Sequence, residues 1–187
     1  PSLYDSSLRI AARLSPPPRP QPRPPAATVD TTSLVEVVRR VRQATGMRVM
    51  APLKVAEGSR LRIARVYRIG NQRTGPWAAK LVFEAGPQEY WGIMMTEMKD
   101  PPILRGETGT ISSGGRDYLT YYDGRNLQRL AFQVDGMTFW ISNTLANDLS
   151  ANTIQEIAKS MRPLNRAKLP EGRTDTPIGI ETEGSTP

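Results

Sequence analysis

Nothing in this chain supplies an imidazole or a thiol: its 187 residues include no histidine and no cysteine. That removes the commonest general base near neutral pH, the commonest zinc ligand and the cysteine nucleophile. Disulfides go with them. Carboxylate, lysine and serine chemistry remain, and each needs its own constellation. Glu84, Glu89, Glu97, Asp100 and Glu107 could supply a pair of carboxylates for acid–base work. They follow or flank predicted strands, and no spacing forces two of them together. Hydrolysis on two carboxylates needs a defined separation across a cleft. Asp117 and Asp123 bracket a tyrosine-rich strand and read as hairpin ends. Gly106-x-x-Gly109 and Gly114-Gly115 lack the lysine and the strand-to-helix setting of a phosphate loop, so they read as loop glycines. The expectation is a non-enzyme with no catalytic residue, metal ligand or cofactor.

The aromatic residues point elsewhere. Tyr90-Trp91, Tyr121-Tyr122 and Phe139-Trp140 are adjacent pairs on predicted strands, so the two rings of each pair face opposite ways. One ring of a pair can enter the core while the other lines an outer face, where it serves a peptide or another subunit. A helix laid over the outer ring is the alternative. Tyr90, Trp91 and Trp140 are therefore candidate partner-binding residues. Arg19 and Arg23 join them from the proline tract PPPRPQPRPP at 16–25, which favours a stiff polyproline II spacer or a groove ligand. The net charge of +7 favours an acidic partner of any kind. Arg62, Arg68 and Lys80 could share a basic face, yet no nucleic-acid module signature accompanies them, and nucleic acid is not expected as a partner.

The elements that must position these groups follow from periodicity. Ser33-x-x-Glu36 has the spacing of a capping box, and Leu34, Val37, Val38 and Val41 then recur on one helical face up to Gly46. Strands are predicted over 61–69, 78–85, 89–98, 117–122, 127–134 and 137–144, with a short one near 108–112. In the first, Leu61, Ile63, Tyr67 and Ile69 share one face, with Arg65 intruding. The strand at 89–98 is apolar on both faces in its middle, which suits a central strand covered on both sides. Asp135-Gly136 between two strands signals a type I′ hairpin. A last helix is predicted over 151–161, capped by Ser150 or Asn152, with Leu149 as its staple and Pro163 as its stop. Helices segregated against hairpins give an α+β class with six or seven mainly antiparallel strands between an N-terminal and a C-terminal helix. Residues 1–31 read as a proline-rich arm, 32–164 as the domain and 165–187 as a polar tail that is flexible or ordered by a partner.

A valine-rich helix leading into GMRVMAPLKVAEGSRLRIARVY, and later LAFQVDGMTFWISNTLANDLSANTIQEIAKSMRPL, resembles a bacterial extracytoplasmic domain of unknown function. That domain is found at the C-terminal ends of anti-sigma factors and of candidate lipoproteins. The resemblance covers roughly residues 33–164 and rests on Pro52, Gly58, the Asp135-Gly136 hairpin, Phe139-Trp140 and Ile154 to Met161. It implies a curved sheet and no catalytic residues. The glycine-rich stretch from Gly106 to Arg116 departs from the pattern, and no anti-sigma region accompanies the domain.

The reading is a non-catalytic accessory or structural subunit of a membrane-associated assembly on the outer side of a bacterial membrane, in the periplasm or at the cell surface. An extracytoplasmic sensor or ligand-binding domain is the alternative. The expected partners are other protein subunits that contact the arm and the tail. No stretch approaches about 18 consecutive apolar residues, so membrane association would come through an upstream segment or through a partner. The first residue is proline; a mature piece with a signal or anchor upstream is one expectation, a fragment the other.

Overall fold

The computed structural model describes residues 27–28, 32–163 and 180–182, with side chains described over 34–163. The proline tract with Arg19 and Arg23, the side chain of Ser33 and most of the tail lie outside the described residues. The class is the expected one: a mixed α+β fold built on a mainly antiparallel sheet flanked by two helices.

Helix α1 spans Thr32–Thr45. Its stripe of Leu34, Val37, Val38 and Val41 is buried against the sheet. Three β-branched valines give little intrinsic helicity, so this packing holds the helix. Glu36 binds Arg39 and Arg40 one turn on, and the Gly46 N–H closes the end on the Arg42 carbonyl at 2.8 Å. Helix α2 spans Ala151–Ser160. Of the two candidate caps, Ser150 takes the position: its hydroxyl accepts from the Thr153 N–H at 3.1 Å. Leu149, Ile154, Ile157, Ala158 and Met161 are buried beneath it.

The strands are β1 (Ala27–Thr28), β2 (Met50–Ala51), β3 (Lys54–Val55), β4 (Arg60–Arg68), β5 (Trp77–Gly86), β6 (Glu89–Thr96), β7 (Gly109–Ser113), β8 (Arg116–Asp123), β9 (Asn126–Val134), β10 (Met137–Ser142), β11 (Arg162–Pro163) and β12 (Ile180–Thr182). Eight of them form the main sheet in the order β12-β4-β5-β6-β10-β9-β8-β7. Two antiparallel meanders, β4-β5-β6 and β7-β8-β9-β10, thus meet along β6 and β10, where Phe139 lies opposite Met95 and Ile141 opposite Ile93. The turn Asp135-Gly136 has φ of 53° and 78°, the paired left-handed conformation that a type I′ hairpin requires. Strand β1 pairs with β3, and β12 runs parallel to β4. Both pairings fall within the flanks expected as arm and tail, so the hydrogen-bonded ladders reach past residues 32 and 164.

Both helices pack on one face of the sheet. The core lies between them and Ala64, Val66, Leu81, Phe83, Trp91, Ile93, Met95, Phe132, Phe139 and Ile141. Each large side chain fully removed from water here contributes about 1.5–3 kcal/mol. One expectation is corrected. Leu61 and Ile63 do not share a face, because a bulge falls between them: Leu61 pairs with Phe83, and Ile63 with the next residue, Val82. The extra residue, Arg62, moves Ala64 and Val66 to the core side and turns Ile63 outward.

Candidate functional site

Among the described residues no helix lies on the second face of the sheet. Part of it is crossed by the connection between β6 and β7, residues 97–108, which must travel from the middle of the sheet to its far edge. Proline punctuates this strap, and Pro102–Leu104 forms one 3₁₀ turn. Side chains from the strands beneath fix it. Thr138 donates its hydroxyl to the Met98 carbonyl at 2.8 Å, Gln133 donates to the Lys99 carbonyl at 2.6 Å, and the Tyr121 hydroxyl donates to the Leu104 carbonyl at 2.8 Å. Under the strap Leu104 packs with Tyr121, Ala131, Trp140, Met94 and Leu119 in a second, smaller apolar cluster. Burial pushes the Tyr121 phenol above its ordinary value, and the charge of Glu107 pushes the same way.

Beyond the strap the helix-free face is open. The register places Ile63 beside Val82 and Gly92, Lys80 beside Met94, and Glu84 beside Tyr90. Tyr90 is 47% exposed and Ile63 37%, Val82 and Met94 are half-buried, and Lys80 is exposed. At this patch's edge Arg62 donates to Glu84, and that hydrogen bond raises the guanidinium above its ordinary pKa.

A recess of about 1010 Å³ lies where the strap, the Gly114-Gly115 turn and the end of β9 come together. The ladder between β8 and β9 begins at Leu119 and Ala131, so residues 116–118 and 132–134 are not paired with one another and the recess occupies that opening. Leu104, Leu119, Ala131, Phe132 and Val134 give it an apolar lining. Its charged groups are Lys99, Arg105 and Arg116, with Asp100, Glu107 and Asp117. The Arg116 guanidinium lies 4.6 Å from the Phe132 ring centroid and 5.9 Å from that of Tyr118. Its Nη1 is buried and has no hydrogen-bond partner among the described residues.

The candidate residues from the sequence do not form one site. Tyr90 stands on the open face. Trp91 does not reach a surface: it is 1% exposed, stacks on Phe83 at 4.2 Å between ring centroids, and donates its indole N–H to the Ser59 hydroxyl at 2.9 Å. Its parity on β6 puts it under the helices, where a large ring fills the core. Trp140 does lie on the helix-free face, but it is 5% exposed because the strap, not a helix, covers it. Of the carboxylates, Asp100, Glu107 and Asp117 line the recess, and the others are dispersed. Glu84 pairs with Arg62, Glu97 accepts from the Trp77 N–H, Asp117 from Ser112 and Asp123 from Gln128. Among the described residues no three acidic side chains are placed to hold a metal ion, and no helix is long and apolar enough to cross a membrane. Arg116 carries no signal in the sequence, where it only closes the glycine-rich stretch ahead of the predicted strand at 117–122. Only the opening between β8 and β9 distinguishes it.

The fold and the open face together define an α+β domain in which, among the described residues, one sheet surface is free of helices. Comparison of the chain with family models, with curated proteins and with solved structures returns no match.

Proposed function

We propose that this domain is a non-catalytic accessory or structural subunit that docks another protein through the helix-free face of its sheet, within a membrane-associated assembly on the outer side of a bacterial membrane. The observation that carries the docking role is the exposed group of Tyr90 and Ile63 with Val82, Met94 and Lys80 around it. A sheet face that keeps a tyrosine and two β-branched residues in contact with water, beside an uncovered cation, has the make-up of an interaction surface. The net charge of +7 supports an acidic partner. The opposite face, which a groove-type sensor would need, is filled by α1 and α2. The extracytoplasmic setting is supported by the sequence resemblance.

The test is purification of the full chain at its native expression level, alongside Tyr90→Asp and Ile63→Asp. Both positions lie on the exposed face, and the melting temperature of each variant checks that it stays folded. A stoichiometric companion that is held by the parent and lost by both variants supports the reading. A lone monomer, or a companion that both variants retain, refutes it.

A further inference from the structure

The recess beside the strap presents a different chemistry from the open face. Arginine side chains that reach into a protein's interior normally meet a carboxylate or a carbonyl, because leaving a guanidinium donor without an acceptor is costly. Arg116 is half-buried, rests on the Phe132 and Tyr118 rings, and has a buried nitrogen with no acceptor among the described residues. Three carboxylates line the same recess, yet none of them forms an ion pair with Arg116. The ring contacts fix the guanidinium in place; Nη1 itself is closed to the recess, so the donors a ligand can reach are the other guanidinium nitrogens. Lys99 and Arg105 add two cations on the strap side.

From this we infer that the recess is a binding site for a small organic monocarboxylate carried on an apolar or aromatic body. Arg116 receives the carboxylate. Leu104, Leu119, Ala131 and Val134 receive the body. The volume of about 1010 Å³ is at the upper end of the range of small-molecule sites. Charge decides against a polyanion. Asp100, Glu107 and Asp117 line the recess beside the three cations, so its charged side chains sum to zero and a second or third negative charge on the ligand meets repulsion. The Gly114-Gly115 turn, with φ of 60° and 73°, brings side-chain-free backbone to the rim and keeps the entrance open. This site goes beyond the docking role and does not depend on it.

The experiment is an amide-resolved NMR titration of the full chain with naphthoate, its neutral isostere naphthamide, and a naphthalene dicarboxylate. Naphthoate is expected to shift the amides of Gly114, Gly115, Arg116 and Gln133. It should bind about tenfold more tightly than naphthamide, the difference that a charge-assisted hydrogen bond supplies. The dicarboxylate should bind more weakly than naphthoate. Arg116→Gln should bring naphthoate down to the level of naphthamide while its remaining amide spectrum stays dispersed. The comparison of acid with amide on the parent chain stands even if that variant fails to fold. Equal binding of acid and amide, tightest binding of the dicarboxylate, shifts confined to the Tyr90 face, or no shifts at all would overturn the assignment.

Discussion

Replacing Thr138 by valine tests one of the three side chains that tie the strap to the sheet. Thr138 is 2% exposed on β10, and its hydroxyl donates to the Met98 carbonyl at 2.8 Å while lying 3.2 Å from the Lys99 carbonyl. Valine keeps the β-branched shape and suits the strand, so neither packing volume nor backbone preference changes much. The lost hydrogen bond is worth about 1 kcal/mol net, and leaving the half-buried Met98 carbonyl without it adds about 1 kcal/mol more. The methyl that replaces the hydroxyl returns about 0.5–1 kcal/mol. The balance is a destabilisation of about 1–1.5 kcal/mol, which for a domain of this size lowers the melting temperature by roughly 4 °C. Urea unfolding measures it as a fall in midpoint at constant slope. Hydrogen exchange localises it: the Leu104 amide, bonded to the Pro101 carbonyl at 2.9 Å within the strap, should exchange faster than in the parent. A valine variant as stable as the parent, with unchanged exchange at Leu104, would show that the strap is held by its apolar underside and that the hydroxyl is incidental.

Three further outcomes are expected. Trp91→Ala removes a ring that is stacked on Phe83 and bonded to Ser59, and it should cost about 3–5 kcal/mol in urea unfolding. Gly136→Ala places a side chain at φ 78° in the β9–β10 turn and should cost about 1 kcal/mol by the same assay. Glu156, whose carboxylate accepts from Lys54 of β3, is held below its ordinary pKa chiefly by that hydrogen bond and then by the lysine charge. A lowered folded-state pKa gives stability that is complete above the ordinary glutamate value of 4.5 and is lost as pH falls through the lowered value. Both side chains are more than a third exposed, so Glu156→Gln should cost less than about 1 kcal/mol at neutral pH and nothing in strong acid, as read from melting temperatures across the range.

Local grammar made much of the fold legible. The valine stripe of α1, the Ser150 cap and the Asp135-Gly136 turn are each specified by residues within a few positions of one another. The faces of β4 are not legible, because Leu61 and Ile63 look like uninterrupted alternation, and a bulge leaves no mark in a hydrophobic pattern. The aromatic pairs show the same limit. Alternation correctly sends Trp91 and Tyr90 to opposite faces, but which face is the core depends on where the helices land. Trp140 is buried by a strap whose path follows from the pairing of β6 with β10, some forty residues apart in sequence. The recess is less legible still. It gathers residues from Lys99 to Thr138 around an opening in a ladder, and no spacing in the chain announces a place where two strands cease to pair.

The join between the two meanders has a consequence for how this domain can be taken apart. Helix α1 lies against β4, and α2 against β9 and β10, so each half of the sheet carries its own helix. The halves are sewn along the β6–β10 seam, by the parallel β12–β4 ladder at the other edge, by the short β2–β11 pair and by the Lys54–Glu156 bridge, while the covalent thread between them passes over the outside through exposed Gly106. Severing that thread leaves two fragments, each with a sheet edge that only the other completes. A chain cut at Gly106 would therefore be held together by pairings between strands, with no covalent link across the seam.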